Sequence, residues 1–401
     1  MRSNVPGPQA HVTLHDFLGW LSCAVIAAAL AFGLRVTLPP GRRAVLPPQR
    51  HRFVWFGAAA VGFAIFNFFA WQSLPDLYAT WRRGATLKPS DLEDPTLLWL
   101  YVLSAVGQVA VLLFFLRIAA RVPLYQIGVT SHRLRQNVIA ALVGWLVTTP
   151  AILFVNLLAT NVYFRIHGVE PVEHPLTKMV KTHPFTPAEW LLLVLVATVA
   201  APLTEELLFR GVLLPWCRSR AWASDATVAG ALGFAWISAK PDTAYWSVGF
   251  VMVMVPGYLA VSRGLGRWLP DAAASRAIYS TALLFAASHS FAWPTPIPLF
   301  LLGLVLGYLA YRTQSLVGPV AFHGLFNAVA CLALLLTYAG HASDLANGNE
   351  VTSASAARSA TRISSLVPGC SAPRFTYPSP IGPNLGDTTD DVTRPVSWSP
   401  R

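Results

Sequence analysis

The chain has 401 residues, of which 54% are hydrophobic and only 12% are charged, whereas soluble proteins usually carry about 25% charged residues. This balance excludes an ordinary soluble domain and predicts an integral membrane protein. The net charge of +11 is typical of cytoplasmic loops that face anionic lipid headgroups, so we expect no nucleic-acid partner. The cysteines are scattered without a C-x-x-C pair and predict neither a disulfide framework nor a thiolate zinc site: Cys23, Cys217, Cys331 and Cys370.

Membrane-spanning helices are predicted wherever about 20 mainly apolar residues lie between charges or prolines. The runs are, in chain order, 14–34, 53–72, 97–116, 138–159, 190–214, 226–239, 245–262, 272–290, 295–311 and 316–339. They predict an all-α fold, a polytopic transmembrane helix bundle of about eight to ten helices. The run at 226–239 is short for a span and could be a re-entrant segment paired with its neighbour.

The first apolar run and the C-terminal segment are each identified by their composition. Only Arg2 precedes the first run, and five arginines follow it within 35–52, which predicts a signal anchor with its N-terminus outside. From Ala342 onward Ser, Thr, Pro and Gly predominate, so 342–401 is predicted to be a disordered tail. We therefore divide the chain into N-terminal membrane helices with basic loops over 1–189, a polar-residue-bearing membrane core over 190–341, and the tail.

Three apolar runs of the core contain polar or ionisable side chains. Such groups are costly inside a membrane helix, and each needs a partner or a function. The stretches are A-P-L-T-E-E-L-L-F-R-G with Glu205, Glu206 and Arg210, L-L-F-A-A-S-H with Phe285 and His289, and A-F-H-G-L-F-N with His323 and Asn327.

The spacing of these residues predicts their geometry. Residues four apart share a helix face, so Glu206 can pair with Arg210, while Glu205 is turned toward another part of the bundle. His323 and Asn327 share a face for the same reason. A carboxylate, two imidazoles and an amide that meet in a water-accessible site could activate water and stabilise an oxyanion, which indicates hydrolysis.

Pro202 lies three residues before Glu205. Proline lacks a backbone N–H, so it frees a carbonyl of the preceding turn and is expected to loosen the helix and admit water beside the acidic pair.

Several polar or small residues have simpler structural explanations. His289 taken alone could be a packed residue bonded to a neighbouring backbone. Interhelical hydrogen bonding is the preferred interpretation for Asn67, Gln108 and Asn156. Close helix packing explains Gly303 and Gly307, and Arg276 is expected to extend toward the headgroups.

The three motifs together resemble the CPBP family. Its members are intramembrane endopeptidases related to the CAAX prenyl protease and to bacteriocin-processing and Abi-type immunity proteins. The resemblance rests on E-E-x-x-x-R at Glu205 to Arg210, F-x-x-x-H at Phe285 to His289, and H-x-x-x-N at His323 to Asn327, in the family's order. It covers roughly residues 190–339.

The resemblance implies roles for the acidic motif and its partner. Glu205 corresponds to the family's water-activating carboxylate, and His289 shares the water or a metal ion with it. Glu206 and Arg210 correspond to the supporting pair that fixes the first helix of the site.

The resemblance also implies that His323 and Asn327 donate hydrogen bonds to the scissile carbonyl oxygen. It leaves open a metalloprotease, with a divalent metal such as zinc, or a glutamate-dependent protease without a cofactor. The chain has no H-E-x-x-H motif, so a zinc site would be assembled from separate helices. Its ligands would be Glu205, His289 and His323.

Two features depart from the family pattern. The apolar segment 226–262 lengthens the distance between the first two motifs and could be an inserted hairpin. His289 also lies about 20 Å along its helix from Arg276, while His323 is near the start of its own helix. The run 272–290 would therefore begin outside the lipid, be tilted or broken, or have an orientation other than the one that the charges predict.

The leading hypothesis is thus an integral endopeptidase of the plasma membrane that acts on a membrane-associated protein or peptide. A non-catalytic immunity or scaffold protein that retains the polar cluster is the alternative. A coupled transporter would also use intramembrane carboxylates and imidazoles, but the sequence lacks a clear inverted repeat of broken helices. The sequence does not indicate the oligomeric state.

Overall fold

The structure is a computed structural model that describes residues 57–83, 97–168, 179–180, 185–240, 243–264 and 271–346. Its regular elements within these ranges are all helical, so the predicted all-α bundle is confirmed. The helices are α1 (Ala58–Gln72), α2 (Leu74–Arg83), α3 (Leu97–Ile118), α4 (Leu134–His167), α5 (Pro187–Ser219), α6 (Ala221–Ser238), α7 (Ala244–Arg263), α8 (Ala272–Ala287), α9 (Pro296–Thr313) and α10 (Val317–Ala346). The predicted first span at 14–34 lies outside the described residues, as do residues 347–401 of the predicted tail; the tail's predicted start at 342 is wrong, because α10 continues to Ala346.

The bundle has the length and surface of a membrane protein. Among the described residues, six helices are long and apolar enough to cross a bilayer, namely α3, α4, α5, α7, α9 and α10, and α1 and α8 are shorter apolar helices. Large apolar side chains also face outward, such as Leu191 on α5, which is 70% exposed. Such surfaces are unfavourable in water and favourable in lipid. The chain is an integral membrane protein, as its composition predicts.

Two helix boundaries differ from the prediction near the polar residues. The short run at 226–239 is part of a full 18-residue helix, α6, which packs against α7 as a helical hairpin. The run at 272–290 is broken, because α8 ends at Ala287 and His289 lies in the turn before a short 3₁₀ helix, Ser290–Ala292. Of the alternatives left open for this run, the structure therefore shows a broken helix, with His289 beyond the end of α8.

Helix α5 begins at a strong start signal. Thr186 accepts a hydrogen bond from the Glu189 backbone N–H, and the Glu189 carboxylate accepts one from the Thr186 backbone N–H, which forms a capping box. Pro187 occupies the first turn, where a missing N–H costs nothing. The helix then runs into the bundle, and every residue from Glu206 to Leu214 is buried.

Helices α8 and α9 approach each other closely through glycines. A Cβ atom on Gly303 would lie 3.0 Å from the Ala282 Cα atom, and one on Gly307 would lie 3.1 Å from an Ile278 methyl group. The predicted packing role of this glycine pair is confirmed. The Gly303 carbonyl oxygen also accepts a hydrogen bond from Arg210 on α5.

A polar clasp joins the end of α5 to the start of α8 and the end of α9. The Asp271 carboxylate accepts the Ala274 N–H at 2.8 Å as the N-cap of α8. Its other oxygen accepts hydrogen bonds from the Arg218 guanidinium at 3.1 Å and from the Tyr311 hydroxyl at 2.9 Å. Burial alone raises the pKa of Asp271, but these three donors outweigh it and hold the pKa below its usual value.

The clasp predicts a pH-dependent contribution to stability. A carboxyl whose pKa is lowered on folding stabilises the protein above its unfolded pKa of about 3.9, and this contribution is lost as the pH falls through the folded value. Asp271→Asn keeps an N-cap residue but removes the charge. We expect the variant to be less stable than wild type near neutral pH and to approach wild type below about pH 4. Thermal unfolding of both proteins in detergent from pH 7 to pH 3 measures this, and a pH-independent difference would contradict it.

Candidate active site

The acidic pair lies between two distortions of α5. Two stretches of π-helix, Val196–Ala200 and Leu207–Leu213, flank Glu205 and Glu206. In the first stretch the Ala201 N–H bonds to the Val196 carbonyl five residues earlier. The next bond of this kind would need an N–H from Pro202, which has none. The Ala197 carbonyl is therefore left for another donor.

Asn327 on α10 supplies that donor. Its Nδ2 donates to the Ala197 carbonyl oxygen at 2.8 Å. The adjacent Gly324 allows this contact, because a Cβ atom there would collide with the Thr198 carbonyl oxygen. The predicted effect of Pro202 is thus specific: the Ala197 carbonyl, which Pro202 leaves free, binds α5 to α10 about two turns before the acidic pair.

Glu206 is the centre of a buried ion-pair network. Its Oε1 accepts a hydrogen bond from Arg210 Nη1 at 3.0 Å and lies 3.0 Å from His323 Nδ1. Arg210 Nη2 also donates to the Gly303 carbonyl oxygen at 3.3 Å. Glu206 is 0% exposed and Arg210 is 3% exposed, so these bonds replace the water that both charges have lost. The network joins α5, α9 and α10.

Glu205 faces the other nitrogen of the same histidine. Glu205 Oε2 lies 3.9 Å from His323 Nε2, which is too long for a direct hydrogen bond. The Glu205 side chain is 16% exposed, in contrast to the enclosed Glu206. Among the described residues, Glu205 Oε2 has no hydrogen-bond partner. The two neighbouring carboxylates therefore differ in their contacts: Glu206 bonds the imidazole, and Glu205 faces it without a bond.

Phe285 brings His289 to this cluster. The fully buried Phe285 ring has its centroid 5.0 Å from the His289 ring and 5.8 Å from the His323 ring, and the Arg210 guanidinium lies over its face at 4.7 Å. Phe209 completes the packing edge-to-face with Phe285 at 5.2 Å. Both imidazoles thus contact one aromatic ring.

Hydrogen bonds assign the tautomer of His289. Its Nδ1 lies 2.8 Å from the Phe285 carbonyl oxygen, which can only accept, so Nδ1 carries the proton. Ser288 donates its hydroxyl to the same carbonyl at 2.8 Å. This bond leaves Nε2 as the ring nitrogen that is available to other partners.

The structure brings Glu205, Glu206, Arg210 and His323 together around one imidazole. His289 lies against Phe285, which also contacts His323 and Arg210, and Asn327 joins α10 to α5. The pairing of Glu206 with Arg210, expected from their spacing, is present. The sequence did not indicate that the Gly303 carbonyl binds Arg210 or that the Ala197 carbonyl binds Asn327. Backbone acceptors have no signature of their own, and only Pro202 hinted at the second one.

The side chains do not form an evident metal site. Within the described residues, no group of three His, Cys, Asp or Glu side chains is arranged to hold a metal ion. His323 Nδ1 is engaged by Glu206, and His289 Nδ1 by the Phe285 carbonyl. A metal site on Glu205, His289 and His323 stays a prediction from the sequence. The same side chains can act as acids, bases and hydrogen-bond donors without a metal.

Comparison with protein-family models relates the core of the chain to a known family. A family model described as type II CAAX prenyl endopeptidase Rce1-like matches residues 187–270 and 261–329. These ranges contain α5 to α9, the site motifs and the whole hairpin segment 226–262. No curated protein and no solved structure shows a significant match to the chain. The predicted relationship is confirmed for this part of the chain: the helical core that carries the site is similar to the Rce1-like type II CAAX prenyl endopeptidases.

Proposed function

We propose that the protein is an intramembrane endopeptidase that hydrolyses a peptide bond of a membrane-associated substrate with water activated by Glu205. The observation that carries this proposal is the 3.9 Å approach of Glu205 Oε2 to His323 Nε2, while Glu206 and Arg210 fix the other side of the imidazole. A carboxylate and an imidazole nitrogen at this separation can act on the same small molecule without bonding to each other. The family match supports the endopeptidase class.

The site residues divide the reaction between them. Glu205 takes a proton from water, and the resulting hydroxide attacks the scissile carbonyl. The protonated Glu205 then gives that proton to the leaving amine as the tetrahedral intermediate breaks down. An imidazolium at His323 would balance the charges of Glu205, Glu206 and Arg210 and would place an Nε2–H donor beside the developing oxyanion. In this scheme one amide hydrogen of Asn327 bonds to the Ala197 carbonyl oxygen, and the second can bond to the oxyanion.

His289 has a supporting role in the same scheme. Its free Nε2 can accept a hydrogen bond from the attacking water, and its Nδ1–H bond to the Phe285 carbonyl holds the ring in place. This matches the role that the family resemblance implies, in which His289 shares the water with Glu205.

The glutamate-dependent form of the reaction is our preferred proposal, and it predicts that activity survives metal removal. We expect cleavage by the purified protein to be unchanged after treatment with a divalent-metal chelator and dialysis into metal-free buffer. The converse result, cleavage lost after chelation and restored by zinc, would contradict the glutamate-dependent form and support a metal on the sequence-predicted ligands.

We further propose that the bundle sits in the plasma membrane with its arginine-rich end facing anionic headgroups. Nine arginines lie at the end where α3, α5, α7 and α9 finish: Arg117, Arg121, Arg133, Arg135, Arg218, Arg220, Arg263, Arg276 and Arg312. The described part of the opposite end has fewer basic residues, namely Arg82, Arg83, Arg165 and Lys240. The positive-inside rule favours a cytoplasmic location for the arginine-rich end.

The proposed function is tested by comparing peptides from membranes that contain wild-type protein with those from membranes that contain Glu205→Gln. We expect fragments that appear only with the wild type, and these would also identify the substrate. A non-catalytic immunity or scaffold protein would give the same peptides in both samples. Equal expression and membrane insertion of the two proteins is the control.

A further inference from the structure

Helix α3 carries two buried polar side chains that its packing does not satisfy. Ser104 and Gln108 are 4% and 1% exposed and lie four residues apart on one helix face. Within the part of the chain that the structure describes, the Ser104 hydroxyl and both polar atoms of the Gln108 amide have no hydrogen-bond partner.

Gln108 was expected to form an interhelical hydrogen bond, but only its backbone carbonyl does so. Asn67 Nδ2 on α1 donates to the Gln108 carbonyl oxygen at 3.0 Å, so Asn67 does join two helices. The Gln108 side chain takes no part in that bond. A primary amide buried in a membrane protein without a partner is unfavourable for folding, so helix packing does not account for glutamine at this position.

Helix α3, which carries Gln108, packs against the part of α5 that bears the acidic pair. It contacts both the Val196–Ala200 and the Ala201–Glu206 stretches of α5. Beside Asn67, the Phe68 ring contacts Phe209 at 6.4 Å, and Phe209 lies one turn after Glu205. Unpartnered polar atoms occur on both packed helices, since Glu205 Oε2 and Glu206 Oε2 also lack partners among the described residues.

We propose that Gln108 is a substrate-positioning residue whose side-chain amide hydrogen-bonds the main chain of the peptide next to the scissile bond. A primary amide offers both N–H donors and a carbonyl acceptor, which complement the carbonyl and N–H groups of an extended peptide. A substrate unwound for cleavage inside a bilayer exposes such groups where lipid cannot bond to them. This inference rests on the proposed endopeptidase function and adds a binding group from a helix outside residues 187–329.

The test separates binding from stability with Gln108→Met, which preserves length and removes the amide. We expect KM for a cleaved peptide to rise about tenfold with kcat little changed, because a bond made equally in the ground and transition states is lost. The midpoint of thermal unfolding should stay the same or rise, since an unsatisfied buried amide is gone. Gln108→Leu provides a second apolar variant if Met packs poorly.

Asn67→Leu is the matched control on the neighbouring helix. It removes an observed interhelical hydrogen bond, so we expect a lower unfolding midpoint and a wild-type KM. A Gln108→Met protein with a wild-type KM and a lower midpoint would overturn the proposal and make Gln108 a structural residue. Absence of cleavage by the wild-type protein would instead refute the proposed function itself.

Discussion

Glu205→Gln is expected to lower kcat by a factor of about 10²–10⁴ while the protein folds and inserts normally. Glutamine keeps the shape of the side chain but cannot take a proton from water. Glu205 Oε2 has no hydrogen-bond partner among the described residues, so the substitution breaks no bond of that oxygen. It also removes one of two adjacent carboxylates, which relieves repulsion next to the buried Glu206. The measurement is single-turnover cleavage of a peptide by purified protein, beside thermal unfolding.

Glu189→Gln is a suitable control for this variant. Glu189 is a carboxylate in the first turn of the same helix, where it closes the capping box with Thr186. It lies about 24 Å along α5 from Glu205, so its loss should affect the start of the helix and leave kcat unchanged. Wild-type kcat in Glu205→Gln would remove Glu205 from the proposed chemistry.

The sequence predicted those parts of the structure that depend on local pattern. Apolar runs of sufficient length located the spans, because a helix must cover the hydrocarbon thickness whatever its neighbours are. The four-residue spacing of Glu206 and Arg210 predicted their ion pair, since both lie on one helix. The order of three weak motifs indicated the family. None of these steps needs knowledge of how distant helices meet.

Contacts between helices were beyond the sequence. Spacing alone could not show that His323 would place one nitrogen on Glu206 and the other toward Glu205. Asn327 was expected to donate to the scissile carbonyl oxygen, and the sequence did not indicate that one of its amide hydrogens binds the Ala197 carbonyl. A break in 272–290 was one of the alternatives left open, but its position at Ala287 was not predicted, because A-S-H has no strong breaker. The turn is fixed by Ser288 and His289, which bond back to the Phe285 carbonyl.

Gln108 is a second case in which the sequence does not predict the bonding of a polar side chain. A polar residue in an apolar run is most often used to join helices, and Asn67 does so. Only the structure separates the two residues, because it shows which polar atoms are bonded and which are not. A buried polar atom without a partner is therefore the observation that distinguishes a possible binding group from a packing group.

Arg210→Met is expected to cause the largest loss of stability, because it leaves the Glu206 carboxylate buried without its cation. Breaking a buried ion pair from one side typically costs about 3–5 kcal/mol, a large part of the usual stability of a domain. The double variant Glu206→Gln with Arg210→Met removes both charges, and a glutamine Oε1 can still accept the His323 Nδ1–H bond. We expect the double variant to recover much of the folded yield and unfolding midpoint in detergent. If the double variant folds but does not cleave, the charges of Glu206 and Arg210 are needed to position the His323 imidazole. A double variant that is less stable than Arg210→Met would contradict this account of the network.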